Sequence, residues 1–138
     1  RDAAIDVRRY FNMAAPLHHE DEERHVFPLL QSLHDATLDA AVARLRSDHL
    51  AFHERWIALD AALQPVAEAG RLDVTLDDLA DRASAFASGY AAHIACEHEQ
   101  VFPAARLLLA ERGAAGAGAL REMGADMARR RGAKPPEA

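Results

Sequence analysis

Six side chains able to ligate a metal fall into pairs four residues apart: His18 with Glu22, His49 with His53, and His93 with Glu97. On an α-helix such residues share a face, offset by about 40° of rotation and about 6 Å of rise. Each pair can therefore present two donor atoms to one cation. The outer two pairs belong to a repeated pattern. "HHEDEERHVFPLL" (residues 18–30) and "HIACEHEQVFPAA" (residues 93–105) both read His-x-x-x-Glu, three residues, then Val-Phe-Pro, 75 residues apart. A lone His-x-x-x-Glu is weak, because exposed helix faces produce it freely. Its recurrence with three further identities is a much stronger signal.

The elements that must carry these pairs read as helices. Ala, Leu, Glu and Arg dominate, and Gly and Pro are sparse outside a few junctions. A first helical region is expected over 2–33, bent near Pro16 and Pro28, and a second over 36–69, with Gly70 as its left-handed cap and Pro65 as a point where it could end early. "RLDVT" connects to a third helix over 76–111, with Thr75 and Asp78 as a capping box and Pro103 inside it. "RGAAGAG" breaks that helix, and a weaker one over 117–131 follows. One domain is expected over 1–131, with a disordered tail over 132–138. Long helices with short turns imply an antiparallel, all-α bundle.

The pairs lie within the apolar stripes of these helices. The stripes read Val7, Phe11, His18, Glu22, Val26, Leu29, Leu33; then Val42, Leu45, His49, Phe52, His53, Trp56, Leu59, Leu63; then Leu79, Ala83, Phe86, Tyr90, His93, Glu97, Val101, Leu108. Six polar side chains would converge on the bundle interior. Burying carboxylates without compensation is very costly, and divalent cations remove that cost. Imidazole with carboxylate suits iron, manganese or zinc, and there is no set of thiolates to compete, Cys96 being the sole cysteine. Two carboxylates can bridge a pair of metals while histidines fill the terminal positions.

The same three segments, "HHEDEERHVFPLL", "DHLAFHERW" and "HIACEHEQVFP", resemble the hemerythrin-like, HHE cation-binding domains over residues 2–110. The resemblance implies an up-down bundle of the four-helix type holding a non-haem, oxo- or hydroxo-bridged pair of iron ions. It implies His18, Glu22, His49, His53, His93 and Glu97 as ligands, with Glu22 and Glu97 bridging. The four-residue His–Glu spacing on the last helix is that of the bacterial domains. The family also takes a histidine from a helix preceding the first one here, and no histidine precedes His18. The first helix is therefore expected to be absent from this chain, and a second copy to cover the groove it leaves, making a homodimer.

Other residues carry plainer expectations. His19 has the same spacing to Glu23, but the alignment of Pro28 with Pro103 favours His18. His25 returns to the face of His18 and is expected near the site or against a polar partner, His34 and His98 toward solvent, and Cys96, Tyr90 and the two motif phenylalanines in the core.

Net charge excludes some functions. With 16 basic against 22 acidic residues the charge is −6, which argues against a general binder of nucleic acid or anionic membrane. No apolar run spans a bilayer and no signal segment is evident, so the cytoplasm is the default expectation. The resemblance implies reversible O₂ binding, or sensing of O₂, nitric oxide, peroxide or iron. The alternatives are a di-iron peroxidase or oxidase, and a structural bundle holding zinc.

Overall fold

A computed structural model describes residues 1–132; the expected tail over 132–138 thus lies, apart from Gly132, outside the described residues. The fold is an all-α helical bundle, and no strand occurs among the described residues. In chain order the helices are α1 (Asp2–Arg9), α2 (Ala15–Asp21), α3 (Phe27–Gln31), α4 (Ala36–Ala69), α5 (Leu76–Ala87), α6 (Tyr90–Cys96), α7 (Phe102–Glu111) and α8 (Ala114–Arg130). No helix among the described residues is long and apolar enough to cross a membrane.

Three prolines shape their helices in the same way. Turns of π-helix occupy Tyr10–Ala14, Glu22–Val26 and Glu97–Val101. Each closes with an N–H five residues ahead of its acceptor: Ala15 donates to Tyr10, Phe27 to Glu22 and Phe102 to Glu97. The next residue in each case is a proline, at 16, 28 and 103. A proline lacks the N–H its helix needs and crowds the carbonyl four residues back, and a wider preceding turn relieves both. The expected bends at Pro16 and Pro28 are thus absorbed as widened turns. Pro65 does not end its helix, and α4 runs on to Ala69 with Gly70 at φ 64 beyond it.

Two boundaries differ from expectation. The third helix is broken at Ser88–Gly89, where Ser88 is extended (ψ 135) and Gly89 adopts φ 87, a conformation open to glycine at little cost. "RGAAGAG" breaks the chain only around Gly113 (φ 56), and α8 begins at Ala114 rather than 117. Gly116 can sit inside α8 because a Cβ there would lie 2.0 Å from the Leu109 carbonyl oxygen, so only glycine permits that approach of α8 to α7. The capping of α5 is as expected: Thr75 Oγ1 accepts from the Asp78 N–H at 3.0 Å.

Two compact units are distinguished within the chain. The first comprises residues 1–16 and 44–94. Its core gathers Trp56, Leu59 and Phe86, with Phe11, Leu63, Leu79 and Tyr90 packed against them. Phe11 stands 5.1 Å from Trp56 and 4.8 Å edge-on to Phe86, geometries that aromatic pairs favour. Trp56 Nε1 donates to Asn12 Oδ1 at 2.8 Å, which satisfies its buried N–H. Arg8 donates to Asp60 at 2.7 Å.

The second unit comprises residues 17–43 and the chain from 95 onward. Phe27, Leu30, Val42 and Val101 are its fully buried side chains. Asp35 Oδ1 accepts from the N–H groups of Thr37 and Leu38, capping the start of α4. Asp21 is buried and takes hydrogen bonds from Arg130 and Arg131. Burial raises the Asp21 pKa, but the two guanidinium groups more than offset this and hold the carboxyl below its ordinary value.

Candidate metal centre

The carboxylate donors come from the two widened turns. Glu22 and Glu97 are the first residues of the π-helical turns Glu22–Val26 and Glu97–Val101, and both are buried. Such turns recur at functional sites because they shift a side chain off the regular helical phase. The shift is visible in the burial pattern. On the first copy the residue buried after Glu22 is Phe27, five on, while Val26 is half-buried.

The imidazole donors are placed by α4 and α6. His49 and His93 are both buried, with ring centroids 5.2 Å apart. His93 is held on two sides. Its Nδ1 lies 2.9 Å from Asp48 Oδ2, and the Phe52 ring meets it edge-on at 5.1 Å. With Nδ1–H donated to a carboxylate, a neutral imidazole keeps its Nε2 lone pair for a cation, and the ring orientation is fixed. The Gly89 break contributes, because α6 restarts there with the His93 N–H donating to the Gly89 carbonyl at 2.9 Å.

In the first unit a donor nitrogen of His49 lies within 4.8 Å of one of His93, in the second a carboxylate oxygen of Glu22 lies within 4.8 Å of one of Glu97, and all four residues are buried. Each pair at that spacing matches the reach of a cation, given metal–nitrogen and metal–oxygen bonds of about 2.0–2.2 Å. Two carboxylates brought so close also repel each other, and a cation removes that cost. The donor set fits a metal.

His18 and His53 stand outside this group. The His18 side chain is 56% exposed against 3% for Glu22, and its Nε2 lies 2.9 Å from Glu22 Oε1. That hydrogen bond raises the His18 pKa; burial works against it, and the negative field of Glu22 and Glu97 adds to it. His53 is exposed. The remaining histidines fall into plainer places. His25 Nε2 lies 2.6 Å from Asp126 Oδ2, which is the polar partner its position called for, and His34 and His98 are exposed. Cys96 is buried.

The model of the Hemerythrin HHE cation binding domain matches residues 1–105. The chain belongs to that family. An uncharacterized protein of Haemophilus influenzae is 38% identical over 128 residues, which is 93% of this chain and 67% of the relative. No solved structure matches. As a hemerythrin-family domain with buried Glu22, Glu97, His49 and His93 able to hold a metal ion, this is a cation-binding domain, and its cofactor is a metal cation.

Asp48 and Asp21 are the residues that sequence reasoning missed. Asp48 adjoins His49 in "SDHLAFH", but its partner lies 45 residues away, and no spacing rule reports that contact. Asp21 adjoins Glu22 in the same manner, with partners in the "RRR" run at 129–131.

Proposed function

We propose that this chain is a non-haem di-iron domain that binds O₂ reversibly or senses O₂, nitric oxide or iron. The supporting observation is that two carboxylates, Glu22 and Glu97, and two imidazoles, His49 and His93, are buried, each pair with donor atoms within 4.8 Å of each other. Two carboxylates suffice to bridge a metal pair, and neutral imidazoles leave that pair more positive than four carboxylates would, which favours the ferrous state. The iron pair, when bound, would supply the reducing electrons for reversible dioxygen chemistry.

The chain's own residues have separate tasks in this reading. Glu22, Glu97, His49 and His93 would hold the ions, the carboxylates supplying negative charge and the imidazoles neutral nitrogen donors. Asp48 fixes the ring of His93, and Phe52 closes one side of that ring. His18 and His53 are the further ligands that the family likeness adds.

Metal analysis and absorption spectroscopy of freshly purified, iron-loaded protein test the proposal. About two irons per chain and a ferric charge-transfer band that O₂ elicits and deoxygenation reverses are expected. Stoichiometric zinc with no such band would instead establish a structural bundle. Sustained multiple turnovers with peroxide would establish a peroxidase or oxidase.

A further inference from the structure

Helix α8 lies beyond the residues 1–105 that define the family match, and its last turn is fastened to the turn that carries Glu22. Arg130 NH2 donates to Asp21 Oδ1, and Arg131 NH2 donates to Asp21 Oδ2 at 2.6 Å. Asp21, only 6% exposed, immediately precedes Glu22. On the other side, Arg130 Nε donates to Asp126 Oδ2 at 3.0 Å, and the same oxygen lies 2.6 Å from Nε2 of His25, within the widened turn Glu22–Val26. The end of α8 therefore grips the chain just before Glu22 and three residues after it.

A π-helical turn is a local irregularity in a helix, so outside contacts have more say in where its first side chain points than they have in a regular turn. The grip also uses the strongest available means. Charge-assisted hydrogen bonds to a buried carboxylate are shorter and stronger than neutral ones. The second copy of the motif has Cys96 and Gln100 at the matching positions, and neither can form a salt link.

We propose that Arg130 and Arg131 are positioning residues for the cation site, with α8 acting through Asp21 and His25 to hold the Glu22 turn in register. The positioning role rests on the reading of Glu22 as a ligand; the clamp itself does not.

The test therefore has a metal-free arm and a metal arm. In the metal-free chain, amide hydrogen exchange is followed at Phe27 and Phe102, the donors that close the Glu22 and Glu97 turns. R130A/R131A is expected to raise exchange at Phe27 about tenfold and leave Phe102 unchanged. R130K/R131K, which keeps the charges, is expected to recover part of the protection. In the metal arm, cobalt(II) titration is expected to show about tenfold weaker binding for R130A/R131A, within the range typical of residues that orient ligands. Adding Asp21→Asn to that variant is expected to cost nothing further.

Unchanged exchange at Phe27, or an equal rise at Phe102, overturns the clamp. Faster exchange at Phe27 with unaltered cobalt affinity overturns the positioning role. A parent chain that takes up no cobalt overturns the cation reading and the positioning role together, while the exchange ratio still decides the clamp. Should R130A/R131A fail to fold, Arg131→Ala alone serves the same comparison.

Discussion

The two copies of His-x-x-x-Glu-x-x-x-Val-Phe-Pro share their letters and their local backbone, yet they are used differently. Both widen into a π-helical turn that starts at the glutamate, because both end in a proline. In the first copy Phe27 is fully buried and Val26 half-buried; in the second Val101 is fully buried and Phe102 half-buried. The histidines diverge in the same way. His93 is buried and oriented by Asp48, whereas His18 is largely exposed and engages its own Glu22. A repeated motif thus reproduces the chemistry it offers and the turn it forms. It does not reproduce which side chain is preorganised, since that depends on what packs against each copy.

The largest test of this asymmetry lies in the core. Phe27→Ala should destabilise the chain by about 3–5 kcal/mol, as expected for emptying a fully buried phenylalanine site. Phe102→Ala should cost well under half as much, and paired urea unfolding curves of the two variants check it. Equal losses would mean that the copies are packed alike.

The next comparison concerns the histidines. His93→Ala should weaken cobalt(II) binding by about 100-fold or more, and His18→Ala by about tenfold or less, because only the former removes a buried, oriented donor. Asp48→Asn should fall between them, at about 10–100-fold. Titrations monitored by the cobalt d–d absorption give all three, and a loss at His18 matching that at His93 would make the two copies equivalent.

The smallest effect concerns acid. His25 first, and then Arg130, hold the Asp126 carboxyl below its ordinary value of 3.8, against an opposing contribution from partial burial, and Arg129 lies 3.7 Å from it. A depressed carboxylate pKa stabilises the fold fully above the ordinary value, and the stabilisation is lost as pH falls through the lowered value. The attachment of α8 should therefore hold steady down to about pH 4, then weaken below the ordinary value of 3.8. Asp126→Asn should show less of this acid loss in thermal melts taken between pH 6 and pH 3.

Much of the architecture was legible from local rules. The 36–69 helix, its Gly70 cap and the Thr75 cap follow from propensity and capping chemistry, which act over a few residues. The break at Gly89 was not legible, because "FASGYAAH" has good helix formers on both sides of a single glycine. The first stripe went astray for a related reason. A 3.6-residue period assigns Val26 and Leu33 to the core, but the widened turn moves burial to Phe27 and leaves Leu33 42% exposed. Among the candidate ligands, Glu22 is brought to Glu97 and His49 to His93, all four buried, while His18 and His53 are exposed.

By itself the sequence determined the helical class, the kinds of donor atom and their spacing along each helix, because propensity, capping and the four-residue repeat are written in neighbouring residues. Only the tertiary structure decided that Glu22 pairs with Glu97 and His49 with His93, that Asp48 orients His93, and that α8 grips the Glu22 turn. Those contacts join residues 44 to 110 positions apart, from His49 with His93 to Asp21 with Arg131. Their geometry depends on how separate helices pack, and no local pattern of residues records that.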